Sequence, residues 1–283
     1  MVSDEAAFAT LRERDDRLST LGWLPAAAVH HYSTRARGSR VGQADYARLG
    51  PAPPAFHVRS GKAVALPRVP ATGGLYEALA RRATAREFVA DRGLTVEQLA
   101  TLLYEVFGCR GRAELYPGVD VLKKGTPSAG ALHLVEAYPV VRRVDGVEPG
   151  LYHYSVQHHA LVRIGDFADE VPLFTARQDH FASAPLALVL TARFRRSFWK
   201  YRRHRTAYAA VLMDAAHLSQ TFYLVAADLG LHAFFTNVIN DGDIDDRLGL
   251  DGIDECALAV CGCGHPVDSS ERVPQFEPYS REG

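Results

Sequence analysis

The run of residues 186–194, Leu-Ala-Leu-Val-Leu-Thr-Ala-Arg-Phe, is the feature that most constrains how this chain can fold. It is an apolar run of strand type without regular polar alternation, which indicates a strand covered on both faces at the centre of a sheet. Residues 206–229 follow as a long amphipathic helix, and Gly230 stands at the position of a carboxyl-terminal cap. We therefore expect a sheet with at least one long helix packed against it.

The remaining patterns join strands by hairpins rather than by strict βαβ alternation. Residues 132–144 alternate as a strand, Asp145-Gly146 is a strong hairpin turn signal, and residues 150–154 return as the partner strand. Thr95 is placed as the N-cap of a further helix. The other predicted elements are helices at 6–21 and 75–83 and strands at 234–235 and 257–261. Together they predict an α+β fold.

The first seventy residues differ in pattern from the rest of the chain. After the predicted first helix they are rich in loops, with Gly-Pro-Ala-Pro-Pro at 50–54 and further prolines near the junction. We expect residues 1–70 to form an amino-terminal arm or small appendage, residues 71–268 the main domain, and residues 269–283 a carboxyl-terminal tail.

Charge and composition exclude several classes of function. The formal net charge of −1 argues against a broad nucleic-acid-binding surface. The charged amino terminus lacks the apolar core of a signal peptide, and no apolar run is long enough to span a bilayer. Four cysteines form no disulfide framework, and the tandem histidines lack partner ligands at metal spacing. We expect a cytoplasmic protein with no membrane or nucleic-acid partner and no metal.

Three segments could carry chemistry, and the first is residues 81–88. Arg82, Thr84 and Arg86 alternate at the end of a predicted helix, where two cations and a hydroxyl can grip a phosphate through charge-assisted hydrogen bonds. A basic helix end that only faces solvent is the ordinary alternative.

The second segment is the turn formed by Pro127, Ser128, Ala129 and Gly130, between basic residues and an apolar stretch. Small residues let the backbone approach a flat ligand closely, although an ordinary loop has the same composition.

The third segment pairs Lys200 with Tyr201, ahead of the helix that carries Asp214, His217 and Gln220. An ammonium beside a phenol favours the phenolate, which makes a plausible general base. Adjacent residues diverge on regular elements, so an irregular segment is needed for both to face one site. Two amphipathic side chains at a surface are the alternative.

These segments, taken in order, resemble a known family of flavoproteins. Arg82-x-Thr84-x-Arg86-x-Phe88 is similar to the Arg-x-Ser-x-Arg-x-Phe signature of nitroreductase-like flavoproteins, with Thr84 in place of the usual Ser. Five further segments resemble the SagB-type thiazole/oxazole dehydrogenases: residues 127–133, 136–138 and 149–154, Lys200-Tyr201, and the helix segment at 215–220. Two positions of that helix depart from the pattern: Ala216 stands for Gly and Thr221 for Asn.

The resemblance implies a nitroreductase-like FMN-dependent fold, with a central, mostly antiparallel sheet flanked by helices and a domain completed by a second subunit. FMN would be held by Arg82, Thr84, Arg86 and Gln220. Pro127, Ser128, Ala129 and Gly130 would come from the partner subunit of a homodimer and line the flavin ring. Lys200 and Tyr201 would be the catalytic pair.

The implied activity is the dehydrogenation of azoline rings, or of a related residue, in a ribosomally made precursor peptide, alone or with other maturation enzymes. A reductase acting on dehydroamino acids or nitro compounds, and a non-catalytic flavin-fold partner subunit, stay open as alternatives. The dense basic cluster at 193–205 is either a solvated loop or a surface that steers an acidic precursor peptide.

Overall fold

The structure, a computed structural model, describes residues 4–40, 42, 51–57, 59–67 and 71–267. In this part of the chain the α-helices are α1 (Asp4–Leu21), α2 (Pro25–Thr34), α3 (Gly74–Arg81), α4 (Val96–Phe107), α5 (Val171–Phe174), α6 (Phe194–Lys200), α7 (Ala207–Asp228) and α8 (Asp241–Leu248). The strands are β1 (Cys109–Tyr116), β2 (Val119–Lys124), β3 (Val135–Val141), β4 (Gly150–Ser155), β5 (Ala160–Gly165), β6 (Leu186–Arg193), β7 (His232–Thr236) and β8 (Glu255–Gly264).

Six strands form one sheet in the order β5-β4-β3-β6-β8-β7, and all of its strand pairs are antiparallel. Strand β6 lies inside the sheet between β3 and β8, and every residue of it except Arg193 is buried. The apolar run therefore does form a central strand, as predicted. It ends one residue early, because Phe194 already begins α6.

Helices cover both faces of this sheet. Leu188 and Leu190 of β6 pack in the cluster that contains the apolar faces of α4 and α7. Val189, between them, packs on the opposite face with Phe174 of α5 and Ile244 of α8. Successive residues of a strand point to opposite sides, so one apolar strand serves both layers. The predicted α+β architecture with a mostly antiparallel sheet is confirmed.

Local signals placed several elements correctly. Thr95 caps α4 in a reciprocal arrangement: its side chain accepts from the Gln98 amide at 3.2 Å, and the Gln98 side chain accepts from the Thr95 amide at 3.0 Å. Helix α7 ends before Gly230, whose φ of 73° is in the left-handed region. Gly146, with φ 74°, lies in the turn between the antiparallel strands β3 and β4.

The sequence did not predict the hairpin of β1 and β2, which forms a separate two-stranded sheet. Its strands are charged and mostly exposed, so no apolar alternation marks them. Helix α6 was also missed, because seven residues are too short to establish a helical period.

The predicted division of the chain stays a prediction. The boundary at residue 70 and the tail at 269–283 both lie outside the described residues. Residues 4–40 are described, and they pack against the domain through buried side chains such as Trp23 and His31. No helix among the described residues has both the length and the apolarity to cross a membrane.

Candidate functional site

The segment that follows α3 lies along the edge strand β7. The Ala85 amide donates to the carbonyl oxygen of Ala233 at 2.9 Å, and Thr84 forms a parallel bridge with the same residue. Ala85 and Phe88 are buried, while Thr84 and Arg86 are exposed. The alternation seen in the sequence therefore turns the hydroxyl and the cation away from the core.

Arg82 and Thr84 contact Tyr223 of α7, and together with Arg86 they are here called the cationic cluster. The Arg82 guanidinium lies 5.8 Å from the Tyr223 ring centre, and the Thr84 hydroxyl donates to the Tyr223 hydroxyl at 3.3 Å. Burial raises the pKa of Tyr223. Among the described residues, neither Arg82 nor Arg86 forms an ion pair with a carboxylate. Two cations are thus available to an anion at this place.

Gln220 is exposed on α7, three residues before Tyr223. Residues at this spacing are neighbours on a helix surface, so Gln220 lies on the side of α7 that the cationic cluster approaches. Tyr223 was not predicted as part of the site, although its spacing from Gln220 could have indicated it.

The loop Pro127–Gly130 is organised by a buried carboxylate of α7. Asp214, only 3% exposed, accepts from the Ala129 amide at 3.0 Å, from the Leu134 amide at 3.3 Å and from the Ser128 hydroxyl. The Ser128 hydroxyl oxygen in turn accepts from the His133 amide at 2.8 Å. An acidic residue within an apolar helix was the available signal for this role.

These contacts hold an unusual backbone. Gly130, Ala131 and His133 have φ values of 60°, 56° and 49°, in the left-handed region that only glycine adopts without strain. Such a conformation persists where surrounding contacts determine it, which is often at functional sites. The Asp214 hydrogen bonds supply those contacts here.

Lys200 and Tyr201 converge on this loop. A β-carbon placed on Gly130 would lie 2.6 Å from Lys200 Nζ and 2.6 Å from Tyr201 Oη, so the two atoms are no further apart than twice that distance. Helix α6 ends at Lys200, and Tyr201 leaves the helix with φ −104° and ψ 34°. This break in the helix lets two adjacent side chains approach one point.

A partly buried polar network lies beside the loop. Glu136 accepts from Arg196 at 2.6 Å and lies 3.7 Å from the His153 ring nitrogen. Burial alone would raise the pKa of Glu136, but the neighbouring His153 ring and the Arg196 charge lower it below its ordinary value. Burial also lowers the pKa of Lys124, which lies near the charges of both Glu136 and Arg196. Sequence reasoning did not identify this network.

The arginines of the basic cluster at 193–205 divide into two groups. Arg193 pairs with Glu255 at 2.9 Å, Arg196 pairs with Glu136, and Arg202 donates to the Thr20 carbonyl at 2.6 Å. Arg195, Arg203 and Arg205 are exposed, and their side chains form no ion pair within the described ranges. Of the seven cations in the cluster, three therefore support the fold, three face solvent, and Lys200 lies at the Gly130 loop.

Helix α7 separates the cationic cluster from the Gly130 loop. Asp214, which holds the loop, and Tyr223, which contacts the cationic cluster, are nine residues apart. Nine residues span roughly 13 Å and about two and a half turns. The two contacts are therefore on opposite flanks of the helix. The exposed face between them carries Leu212, Met213 and Gln220.

Other predicted features have plain structural explanations. His217 and Ala216 are exposed on α7, and the Thr221 hydroxyl donates to the His217 carbonyl at 2.9 Å. Cys261 and Cys263 are buried in β8, and burial raises the pKa of both thiols. Within the described part of the chain, no three metal-binding side chains come together.

Comparisons with known proteins agree with the fold. The nitroreductase family model matches residues 79–265. The protein MJ1384 of Methanocaldococcus jannaschii, named as a nitroreductase, is 32% identical over 178 residues, which cover 62% of this chain and 84% of that protein. The trifolitoxin-processing protein TfxB of Rhizobium leguminosarum bv. trifolii is 30% identical over 178 residues, covering 59% of this chain and 46% of TfxB.

A chain of the E. coli microcin synthetase McbBCD complex, solved with truncated pro-MccB17 bound, has a similar fold. Its TM-score is 0.58 at 19% identity, and the match covers 94% of this chain and 95% of that chain. The family model covers more than half of the present sequence, from the end of α3 to the end of β8. The chain therefore belongs to the nitroreductase family.

Proposed function

We propose that this chain is an FMN-dependent dehydrogenase of the SagB type, which oxidises azoline rings in a ribosomally made precursor peptide. The observation that carries the proposal is the convergence of Lys200 Nζ and Tyr201 Oη on Gly130. Members of the nitroreductase family are typically flavin-dependent oxidoreductases. Similarity to the trifolitoxin-processing protein supports a peptide as the substrate.

The Lys200-Tyr201 pair is suited to proton removal. An ammonium near a phenol stabilises the phenolate, which is the form that accepts a proton. Lys200 Nζ lies 5.7 Å from the Tyr201 ring centre and 3.5 Å from the Gly130 carbonyl oxygen. We assign Tyr201 as the base that removes the ring proton next to the carbonyl of an azoline, and Lys200 as the cation that supports it.

The residues present fit FMN. The cationic cluster offers two arginines without carboxylate partners in the described structure, together with the Thr84 hydroxyl, and these suit a phosphate. Gln220 is exposed on the same side of α7, where it could contact the flavin ring system. The chemistry that FMN supplies when bound is the acceptance of a hydride from the carbon beside the deprotonated one.

A homodimer would complete the site. The cationic cluster and the Gly130 loop lie on opposite flanks of α7, so a single flavin is more easily shared between two chains than held by one. Leu212 and Met213, on the α7 face between the flanks, are 47% and 62% exposed. Contiguous exposed apolar surface is typical of interfaces. Pro127–Gly130, Lys200 and Tyr201 would then reach the flavin from the same partner subunit.

The exposed cations near the pair suit a peptide substrate. Arg195, Arg203 and Arg205 lie within a few residues of Lys200 and face solvent. We propose that they attract an acidic part of the precursor peptide in the cytoplasm, and that other maturation enzymes form the azoline beforehand. Raised salt should then weaken peptide binding without releasing flavin.

Anaerobic mixing with a thiazoline-containing peptide tests the proposal. We expect loss of the oxidised-flavin absorbance and loss of two hydrogen atoms from the peptide by mass spectrometry. Tyr201→Phe should keep the flavin but react about 10²–10⁴-fold more slowly, the usual contribution of a general base. Tyr116→Phe, at a tyrosine that is 66% exposed on the hairpin, is the matched control.

Two results would contradict the proposal. One is reduction of the flavin by NADPH but not by any azoline peptide, which would favour a reductase. The other is equal turnover by Tyr201→Phe and the wild-type protein, which would remove the base from the mechanism.

A further inference from the structure

The helix that carries Lys200 is covered by a residue of the amino-terminal arm. Trp23 is only 4% exposed, and its ring centre lies 4.7 Å from that of Phe194 and 4.9 Å from that of Phe198. These two phenylalanines form the buried face of α6. Trp23 lies well before residue 79, where the match to the family model begins. The arm thus supplies part of the packing that fixes α6.

The arm also holds the backbone immediately after the catalytic pair. The Arg202 guanidinium donates to the Thr20 carbonyl oxygen at 2.6 Å, and the Arg203 amide donates to the Gly22 carbonyl oxygen at 3.1 Å. Arg203 has φ 55°, a left-handed conformation that needs such support. Lys200 and Tyr201 therefore lie between two points of contact with the arm: the buried face of α6 and the Arg202-Arg203 turn.

Gly22 is the point of closest approach. It has φ 86°, and a β-carbon placed on it would lie 2.5 Å from Arg202 Cγ. Cγ is the second atom of the Arg202 side chain, so a β-carbon at position 22 would force either a new Arg202 side-chain conformation, which breaks the Thr20 contact, or a shift of the turn. Only glycine permits this contact.

We propose that the segment from Leu18 to Trp23 is a positioning element for Lys200 and Tyr201, and that the arm belongs to the catalytic framework. The inference rests on the proposed function, because it concerns the same catalytic pair. It assigns a role to Trp23, Gly22 and Arg202 as residues that act through α6 and its carboxyl-terminal turn without touching substrate.

Gly22→Ala tests the inference, with Gly38→Ala as the matched control. Both glycines lie in the arm at positive φ, but a β-carbon at Gly38 would have no atom within 4 Å. We expect Gly22→Ala to lower kcat by roughly 10- to 100-fold, since a misplacement of about 1 Å in a catalytic group can cost 10²-fold. KM for the peptide and affinity for FMN should change little. Gly38→Ala should retain wild-type kcat.

A second readout does not depend on activity. In protein labelled with 3-fluorotyrosine, the fluorine resonance of Tyr201 is identified by its absence from Tyr201→Phe. Gly22→Ala should shift this resonance, and Gly38→Ala should not. The comparison can be made on protein without flavin, so failure of the proposed function and failure of this inference are distinguishable.

Arg202→Met covers the case in which Gly22→Ala does not fold. It removes the hydrogen bond to Thr20 and leaves Gly22 unchanged, so the Tyr201 resonance should again shift. Arg203→Met is its control, because Arg203 contacts the described part of the arm through its backbone amide and not through its side chain. An unmoved Tyr201 resonance in both Gly22→Ala and Arg202→Met, or equal shifts in the variants and their controls, would overturn the inference.

Discussion

Lys200 Nζ lies 3.5 Å from the carbonyl oxygen of Gly130. This contact connects the end of α6 to the Pro127–Gly130 loop. Asp214 of α7 fixes the loop, and the break after α6 brings Tyr201 to the same glycine. Three elements therefore define the candidate catalytic pair: the Pro127–Gly130 loop, α6 and α7.

Gly130→Ala should disable the site while leaving the fold intact. A β-carbon there would meet both Lys200 Nζ and Tyr201 Oη at 2.6 Å, so the pair must move. Alanine in the left-handed region costs about 1–2 kcal/mol. Gly146→Ala has the same backbone strain at φ 74° but open space around it. Thermal unfolding should show similar losses for the two variants, whereas turnover should fall only for Gly130→Ala. Equal turnover in both would exclude close packing at Gly130.

Removing the Asp214 carboxylate should release the loop. Asp214→Ala leaves the Ala129 and Leu134 amides without their acceptor. Each unsatisfied donor costs about 1–3 kcal/mol, so we expect the free energy of unfolding to fall by about 2–6 kcal/mol. Urea titration measures it. Asp228→Ala on the same helix is the control, because that exposed carboxylate makes, among the described residues, a single surface ion pair, with Arg81 at 3.5 Å. A loss no larger than the control's would contradict this role.

His31 should make the fold sensitive to acid. Burial lowers the pKa of His31 from 6.5 to about 4, and its Nε2–H donates to the Gly252 carbonyl oxygen at 2.9 Å. The unfolded chain binds the second imidazole proton more tightly than the folded chain does. The stabilisation contributed by neutral His31 is therefore complete above pH 6.5 and is lost as the pH falls towards 4. The pKa difference corresponds to about 3 kcal/mol.

We therefore expect the stability advantage of the wild-type protein over His31→Gln to shrink by up to about 3 kcal/mol between pH 6.5 and 4. Burial raises the pKa of Asp245 to about 6, so this carboxyl stabilises the folded chain as the pH falls, which is opposite to the effect of His31. Comparing the wild-type protein with the variant cancels the Asp245 contribution. His30→Gln, at the exposed neighbour, is the control. A constant difference across this pH range would contradict the prediction.

Thiol labelling should distinguish one cysteine from the other three. Cys256, Cys261 and Cys263 are buried, and burial raises the pKa of each thiol, whereas Cys109 is partly exposed. Thiolates are the reactive form, so the native protein should label at Cys109 alone. Unfolding should expose all four thiols, and Cys109→Ser should abolish labelling of the native protein. Rapid labelling of that variant would mean that β8 opens.

The elements of the fold that could be predicted are those that a short stretch of sequence determines. The apolar run of β6, the capping box at Thr95 and the turn at Gly146 each depend on residues close together in the sequence. The hairpin of β1 and β2 lacks such a pattern, because its strands face solvent on most sides. Burial, rather than strand propensity, is what sequence patterns report.

The sequence motifs indicated candidate site residues but not how those residues are arranged. The motifs named Lys200, Tyr201 and Gly130, yet their convergence depends on Asp214, which was noted only as a neighbour on α7. Packing of Trp23 against Phe194 joins residues that are widely separated in the sequence, and no local pattern announces it. Contacts of this kind follow from the tertiary fold alone.

The visible absorption spectrum of the purified protein, with the flavin identified after heat release, tests the central claim most directly. Our account predicts FMN at about one molecule per chain, with Arg82→Gln and Arg86→Gln weakening its binding because they remove phosphate partners. A Tyr201→Phe variant should carry the same flavin. A protein that stays colourless when FMN is added would contradict the account and leave a non-catalytic binding role in its place.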